Sequence, residues 1–147
     1  MKLPLPPDVE VHEDIGLLIY RPRGSLDRAV INKIISLIGE LEFTVKKPFN
    51  RFLDTTAANV IDLNVEYVRG VSLYRRRVYG DRPPIKAAVL GTDSTVEEYG
   101  WLHASLTEGS SINVRVFKGR VEAVQWLGVS LELLSPKGAA TQQGDQT

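Results

Sequence analysis

The sequence predicts a single α/β domain with a mixed, mostly parallel five-stranded sheet and four helices. Three observations carry that expectation. The apolar runs at Leu17–Tyr20, Phe52–Leu53 and Ala87–Leu90 are continuous rather than alternating, as in strands covered on both faces. Between the runs lie longer segments whose apolar residues recur every three and four positions, the spacing of a helix that buries one stripe. Strand and helix patterns also alternate along most of the chain, which calls for parallel pairing through right-handed crossovers.

With 147 residues, 43% of them hydrophobic and 24% charged, the chain fits one globular domain with one sizeable core. Met1–Pro7 holds three prolines, so residues 1–8 are expected to form an extended arm ahead of a domain spanning 9–134. Val9–His12 places apolar residues two apart and reads as an edge strand. After a turn at Glu13–Gly16, Leu17–Tyr20 returns beside it as an antiparallel hairpin. Arg21–Gly24 stops that strand, and Ser25 or Asp27 caps a first helix buried along Leu26, Val30, Ile31, Ile34, Ile35, Ile38 and Leu41. A third strand runs from Arg51 to Asp54. A loop then leads to a second helix that opens near Asp62 and ends at about Tyr79, before Pro83 and Pro84. Ile85–Leu90 is the fourth strand. A third helix follows with Val96, Tyr99, Leu102, His103 and Leu106 facing inward, then a fifth strand at Asn113–Phe117 and a fourth helix at Arg120–Leu127. Phe52, Leu53, Val89 and Leu90 are expected among the most buried residues. The tail, 135–147, has little to bury and is expected to be disordered.

Composition excludes several functions. Eighteen basic residues balance eighteen acidic ones, so net charge alone does not point to nucleic acid, and with no base-stacking motif beside the arginine run no such partner is expected. Cysteine is absent, which excludes disulfides and thiolate chemistry and fits a cytoplasmic protein. The two histidines lack ligand-spaced partners, so no metal is expected. Neither a glycine-rich cradle nor a nucleophile–base pair is visible, so neither a cofactor nor an enzymatic activity is expected. The N-terminus lacks the continuous apolar region of a signal peptide. No apolar run approaches the roughly 20 residues that cross a bilayer.

Four ordered signatures point to a family. Gly24-Ser25-Leu26-Asp27 leads into the first helix, and Phe52-Leu53-Asp54 ends the third strand. Val89-Leu90-Gly91 ends the fourth, and Val114–Phe117 precedes Glu122-Ala123 and Trp126-Leu127 in the last helix. In order and spacing the chain resembles the STAS domain of bacterial anti-sigma factor antagonists, and more closely the small SpoIIAA-like proteins. The resemblance spans roughly Val9 to Leu127. It implies a non-enzymatic regulatory or protein-interaction module. In antagonist STAS domains a serine lies in a loop whose acidic start is eight residues beyond the strand-end aspartate, and its phosphorylation is the switch. Here that spacing leads from Asp54 to Asp62, and Asn64, which has no hydroxyl, takes the serine's place. Val65 replaces the glycine. A second register aligns Asp54-Thr55-Thr56-Ala57 with the phosphorylated loop instead. SpoIIAA-like proteins also resemble CRAL-TRIO lipid-transfer domains in fold, which implies an alternative, a small-ligand or lipid-binding protein at anionic membrane surfaces.

Two groups of residues are candidate sites. Asp54, Thr55 and Thr56 close the third strand, and Asp62 and Asn64 open the second helix. Ligands meet α/β sheets at the carboxyl ends of strands, and helix starts take anions, so these five are candidates for ligand or partner binding. Turn hydrogen bonds and helix capping account for the same residues without a ligand. Arg69, Arg75, Arg76, Arg77 and Arg82 form the densest charge run, interleaved with Tyr74 and Tyr79. Such a run suits an anionic lipid surface, a phosphate or an acidic partner. It equally suits a solvated helix end, where cations complement the dipole. The acidic residues Asp93, Glu97, Glu98 and Glu108 offer the run a counterpart, within one molecule or across a homodimer.

Overall fold

The period-two and continuous apolar segments form the strands expected of them. The computed structural model describes residues 5–136, so the expectations for residues 1–4 and 137–147 lie outside the described residues. Its elements are β1 (Val9–His12), β2 (Leu17–Tyr20), β3 (Gly24–Asp27), α1 (Arg28–Val45), β4 (Asn50–Asp54), β5 (Ala58–Asp62), α2 (Val65–Val78), β6 (Ile85–Leu90), α3 (Ser94–Thr107), β7 (Ile112–Phe117), α4 (Arg120–Leu127) and α5 (Leu131–Leu134). Five strands make the main sheet in the order β1-β2-β4-β6-β7, with β1 antiparallel to β2 and every other pair parallel.

That order runs in one direction, and right-handed crossovers in one direction lay their helices on one face. Accordingly α1, α2 and α3 all cover the face that carries Leu18, Leu53, Ala87 and Val89. The opposite face carries Leu17, Ile19, Phe52, Ala88 and Leu90, and α4 and α5 close over it with Ala123, Leu127 and Leu134. Among the described residues no helix is long and apolar enough to cross a membrane.

Three expectations need correction. The stretch from Asp54 to Asp62 is not all loop, because Ala58–Asp62 pairs in parallel with Gly24–Asp27 as a separate two-stranded sheet. Neither segment carries an apolar run, so each exists as a strand only through the other. Asp62 therefore ends β5 and does not start the helix. Asn64 alone caps α2, its Oδ1 accepting from Tyr67 N at 2.8 Å. At α1 the cap is Asp27, which accepts from Val30 N at 3.0 Å. Finally, Phe52 and Leu90 are fully buried but Leu53 and Val89 are only half-buried. Those two are neighbours on adjacent strands and face a space beneath the helices.

An apolar cavity with a charged end

Two rows of side chains cross the helix-covered face. One is Leu18, Arg51, Ala87 and Val114, and the other is Tyr20, Leu53, Val89 and Val116, each in register across β2, β4, β6 and β7. The first row is short of volume at Ala87. Above it, Ile34 and Ile38 of α1, Val68 and Val71 of α2 and Tyr99 of α3 do not close the gap, and a cavity of about 150 Å³ remains. Interiors packed to ordinary density rarely leave voids larger than one water, so this space is a structural feature in its own right. Its wall is mostly apolar, and Arg51, Arg75 and His103 line it together, with Tyr20, Thr55 and Tyr67 as further polar side chains.

Arg51 lies in the middle of the sheet with 6% of its side chain exposed, a position that a lone charge cannot hold. Glu42, from the last turns of α1 and 5% exposed, answers it at 3.0 Å. Glu42 Oε2 also accepts from Phe49 N at 2.9 Å, and its Oε1 accepts from Tyr79 Oη at 2.7 Å. Arg51 Nη2 donates to Tyr79 Oη at 2.5 Å, and its guanidinium lies 4.9 Å from the Tyr79 ring centre. Burial raises the Tyr79 hydroxyl above its ordinary range, against the pull of Arg51, so it remains a donor to Glu42. Arg82, half-exposed, covers the other face of this cluster, 3.7 Å from Glu42. Even so, Arg51 Nε and Nη1 are buried with no hydrogen-bond partner.

Beside this cluster α2 and α3 share a serine–histidine contact. Ser72 Oγ donates to Val68 O at 2.7 Å and lies 2.6 Å from His103 Nδ1. A hydroxyl has one proton, so Nδ1 must be the donor to Ser72, and Nε2 is left to accept from Arg75 Nη1 at 3.3 Å. Burial, then Arg75 and Arg51, push the His103 pKa down to about 3. Burial, then Arg51, lower Arg75 to about 10, so it keeps its charge at neutral pH. The contact brings a hydroxyl and an imidazole together, but Ser72 donates to Val68 O and accepts from His103. A general base near neutral pH needs a pKa near 7 and a group that welcomes the imidazolium, and His103 faces an arginine.

The same contacts predict a pH dependence. A histidine held neutral in the fold contributes stability that is present above its ordinary value of 6.5 and lost as pH falls toward about 3. In that window the unfolded chain takes up a proton that the folded chain refuses. Between pH 7 and pH 5 wild type should lose about 2 kcal/mol more stability than His103→Gln, as read by urea unfolding at the two pH values. Parallel losses in the two proteins would mean that His103 takes up its proton in the fold.

Of the residues singled out at the strand end, Thr55 lines the cavity, while Asp54 and Thr56 do not. Asp54 is buried at the close of β4. Its Oδ1 accepts from Thr56 N at 2.9 Å and Thr56 Oγ1 at 2.6 Å, and its Oδ2 pairs with Arg120 Nη2 at 2.7 Å. Thr55 Oγ1 donates to Leu90 O at 2.9 Å, and Gly91 must be a glycine because a methyl there would collide with that oxygen and with Val96. Asp62 and Asn64 are exposed. Within the arginine run Arg69, Arg76, Arg77 and Arg82 are exposed, and Arg75 is not. Arg75 turns into the cavity, and Arg76 donates to the carbonyls of Leu106 and Glu108 at 3.1 and 2.9 Å. Arg82 lies over Tyr79, 5.1 Å from its ring centre, while Arg69 and Arg77 are exposed. Arg76 thus meets the end of α3 through backbone carbonyls, and Glu97 pairs with Lys118 at 3.2 Å. Trp126 packs on Phe117 at 5.6 Å, and Trp101 is exposed.

Arg51, Glu42 and the Ser72–His103 pair were not singled out by sequence. The inward period of α3 marks His103, but nothing in the spacing marks its partners on other elements.

No family model and no curated protein matches the chain. Among solved structures it is similar to an uncharacterised protein of the DUF3478 family with a SpoIIAA-like fold, from Shewanella loihica PV-4. The two share 17% identity over 81% of this chain and 90% of the other, with a TM-score of 0.51. The order of elements, the mixed sheet and this likeness together give the chain a STAS-type, SpoIIAA-like fold.

Proposed function

We propose that this STAS-like domain is a non-catalytic binding module that takes a small, mainly apolar molecule into the cavity under α1, α2 and α3. The observation that supports the reading is the cavity itself, about 150 Å³ of apolar-walled space where the sheet's own side chains leave a gap. Apolar pockets with a few convergent polar groups are where proteins hold small ligands. A second groove, of about 330 Å³, lies between the ends of α1 and α2 and is bordered by Phe43, Lys46, Lys47 and Tyr74. Ile38 and Arg75 line both spaces, so the groove adjoins the cavity at these two side chains. The same features argue for binding rather than turnover, because the Ser72–His103 contact has no basic nitrogen near neutral pH.

The test fills the space. Val71 lines the cavity from α2, and Val71→Phe places a ring in it. Titration with the apolar fluorophore N-phenyl-1-naphthylamine should give saturable binding to wild type and at least about tenfold weaker binding to the variant. The melting temperature should stay within a few degrees, since added volume enters empty space rather than packed core. Equal fluorophore affinity for the two proteins would remove the cavity as the binding site.

A further inference from the structure

The charged side chains at one end of the cavity do not pair one to one. Arg51 and Arg75 both line the cavity, and the one carboxylate beside them is Glu42. Both Glu42 oxygens are already engaged, by Phe49 N and Arg51 on one side and Tyr79 Oη on the other. Among the described residues Arg75 has no carboxylate within ion-pair distance; its Nη1 meets the His103 ring at 3.3 Å, and Glu42 acts on it at longer range. Arg51 is buried and Arg75 beside it half-buried, so two guanidiniums share one carboxylate at this end of the cavity. Arg51 adds two N–H groups, Nε and Nη1, that are buried without an acceptor on a side chain only 6% exposed. Arg21 Nε and Arg120 Nε are also buried without a partner, but Arg51 has two such nitrogens on one side chain, and they call for a water or a ligand oxygen.

Building on the cavity reading, we infer that the ligand is an amphiphile with one anionic head, a medium-chain monocarboxylate, whose carboxylate sits between Arg75 and the free edge of Arg51 while its chain lies against Leu53, Val68, Val71 and Val89. A guanidinium presents parallel N–H groups that match the two oxygens of a carboxylate, and one negative charge neutralises the end without excess. His103 fits the same arrangement. Held neutral, with Nδ1–H committed to Ser72, it adds no further positive charge and keeps Arg75 oriented toward the head. A neutral head of the same length satisfies neither the charge nor the free donors.

The closing experiment compares octanoate with 1-octanol at pH 7.5 by isothermal titration, on wild type and on Arg75→Leu. Octanoate should bind wild type at least about tenfold more tightly than octanol, the advantage expected of a hydrogen bond to a charged group. Arg75→Leu should lose that advantage while still binding octanol as wild type does, which also shows that the variant is folded. Equal affinity of wild type for the two ligands would overturn the anionic head and leave the apolar cavity standing. A variant that keeps the full preference for octanoate would overturn the role of Arg75. Failure of both ligands to bind wild type would overturn the cavity reading and this inference with it.

Discussion

Replacing Glu42 with leucine should cost about 3–5 kcal/mol of folding stability, because it leaves Arg51 buried and unanswered in the sheet. The loss extends past one ion pair. Phe49 N loses its acceptor at the turn into β4, and Tyr79 Oη loses the oxygen it donates to. For a domain of this size the melting temperature should fall on the order of 10 °C. Adding Arg51→Met to the leucine variant should restore much of the loss, since a buried pair replaced by apolar side chains of similar volume is often close to neutral. Thermal and urea unfolding of the three proteins reads both effects. A single variant within about 1 kcal/mol of wild type would mean that Arg51 reaches solvent when its partner is gone.

Phe52 and Leu53 are adjacent in sequence and should respond very differently to truncation. Phe52→Ala removes a ring that is 0% exposed and packed against α4 and α5, and should cost about 3–5 kcal/mol. Leu53 points the other way, toward a space that lacks part of its neighbouring atoms. Leu53→Ala should therefore fall at or below the low end of the range for buried leucines, about 2 kcal/mol or less. Side-by-side urea unfolding settles it, and equal losses at the two positions would show that the face beneath α1–α3 is as tightly packed as the face beneath α4.

This pair also shows how far the sequence could be read. The continuous apolar run marks β4 as covered on both faces, and the structure agrees. A run of that kind says nothing about how well each face is filled, so Leu53 and Val89 looked as buried as Phe52 and Leu90. Asp54 was legible as the end of β4, but its partner Arg120 lies 66 residues further along, and no local spacing announces it. Arg51 looked like a polar residue at a strand entry. Its burial depends on Glu42 arriving from a helix that crosses above the sheet. Ligands meet the carboxyl ends of strands in sheets whose strand order reverses, where a crevice opens at the reversal. Here β2, β4, β6 and β7 follow one another in one direction, so no reversal exists and the open space lies under the helices instead.

Because α4 and α5 come last in the described chain, they are also the last of these elements to leave the ribosome. Until synthesis reaches Leu134, the face formed by Leu17, Ile19, Phe52, Ala88 and Leu90 has no cover, although every strand that builds it has already emerged. A nascent chain in that state presents a sticky, sheet-sized apolar surface to its neighbours, the kind of intermediate on which chaperones act. The C-terminal helices thus complete the cover of this face, and a chain that stops short of them leaves it bare.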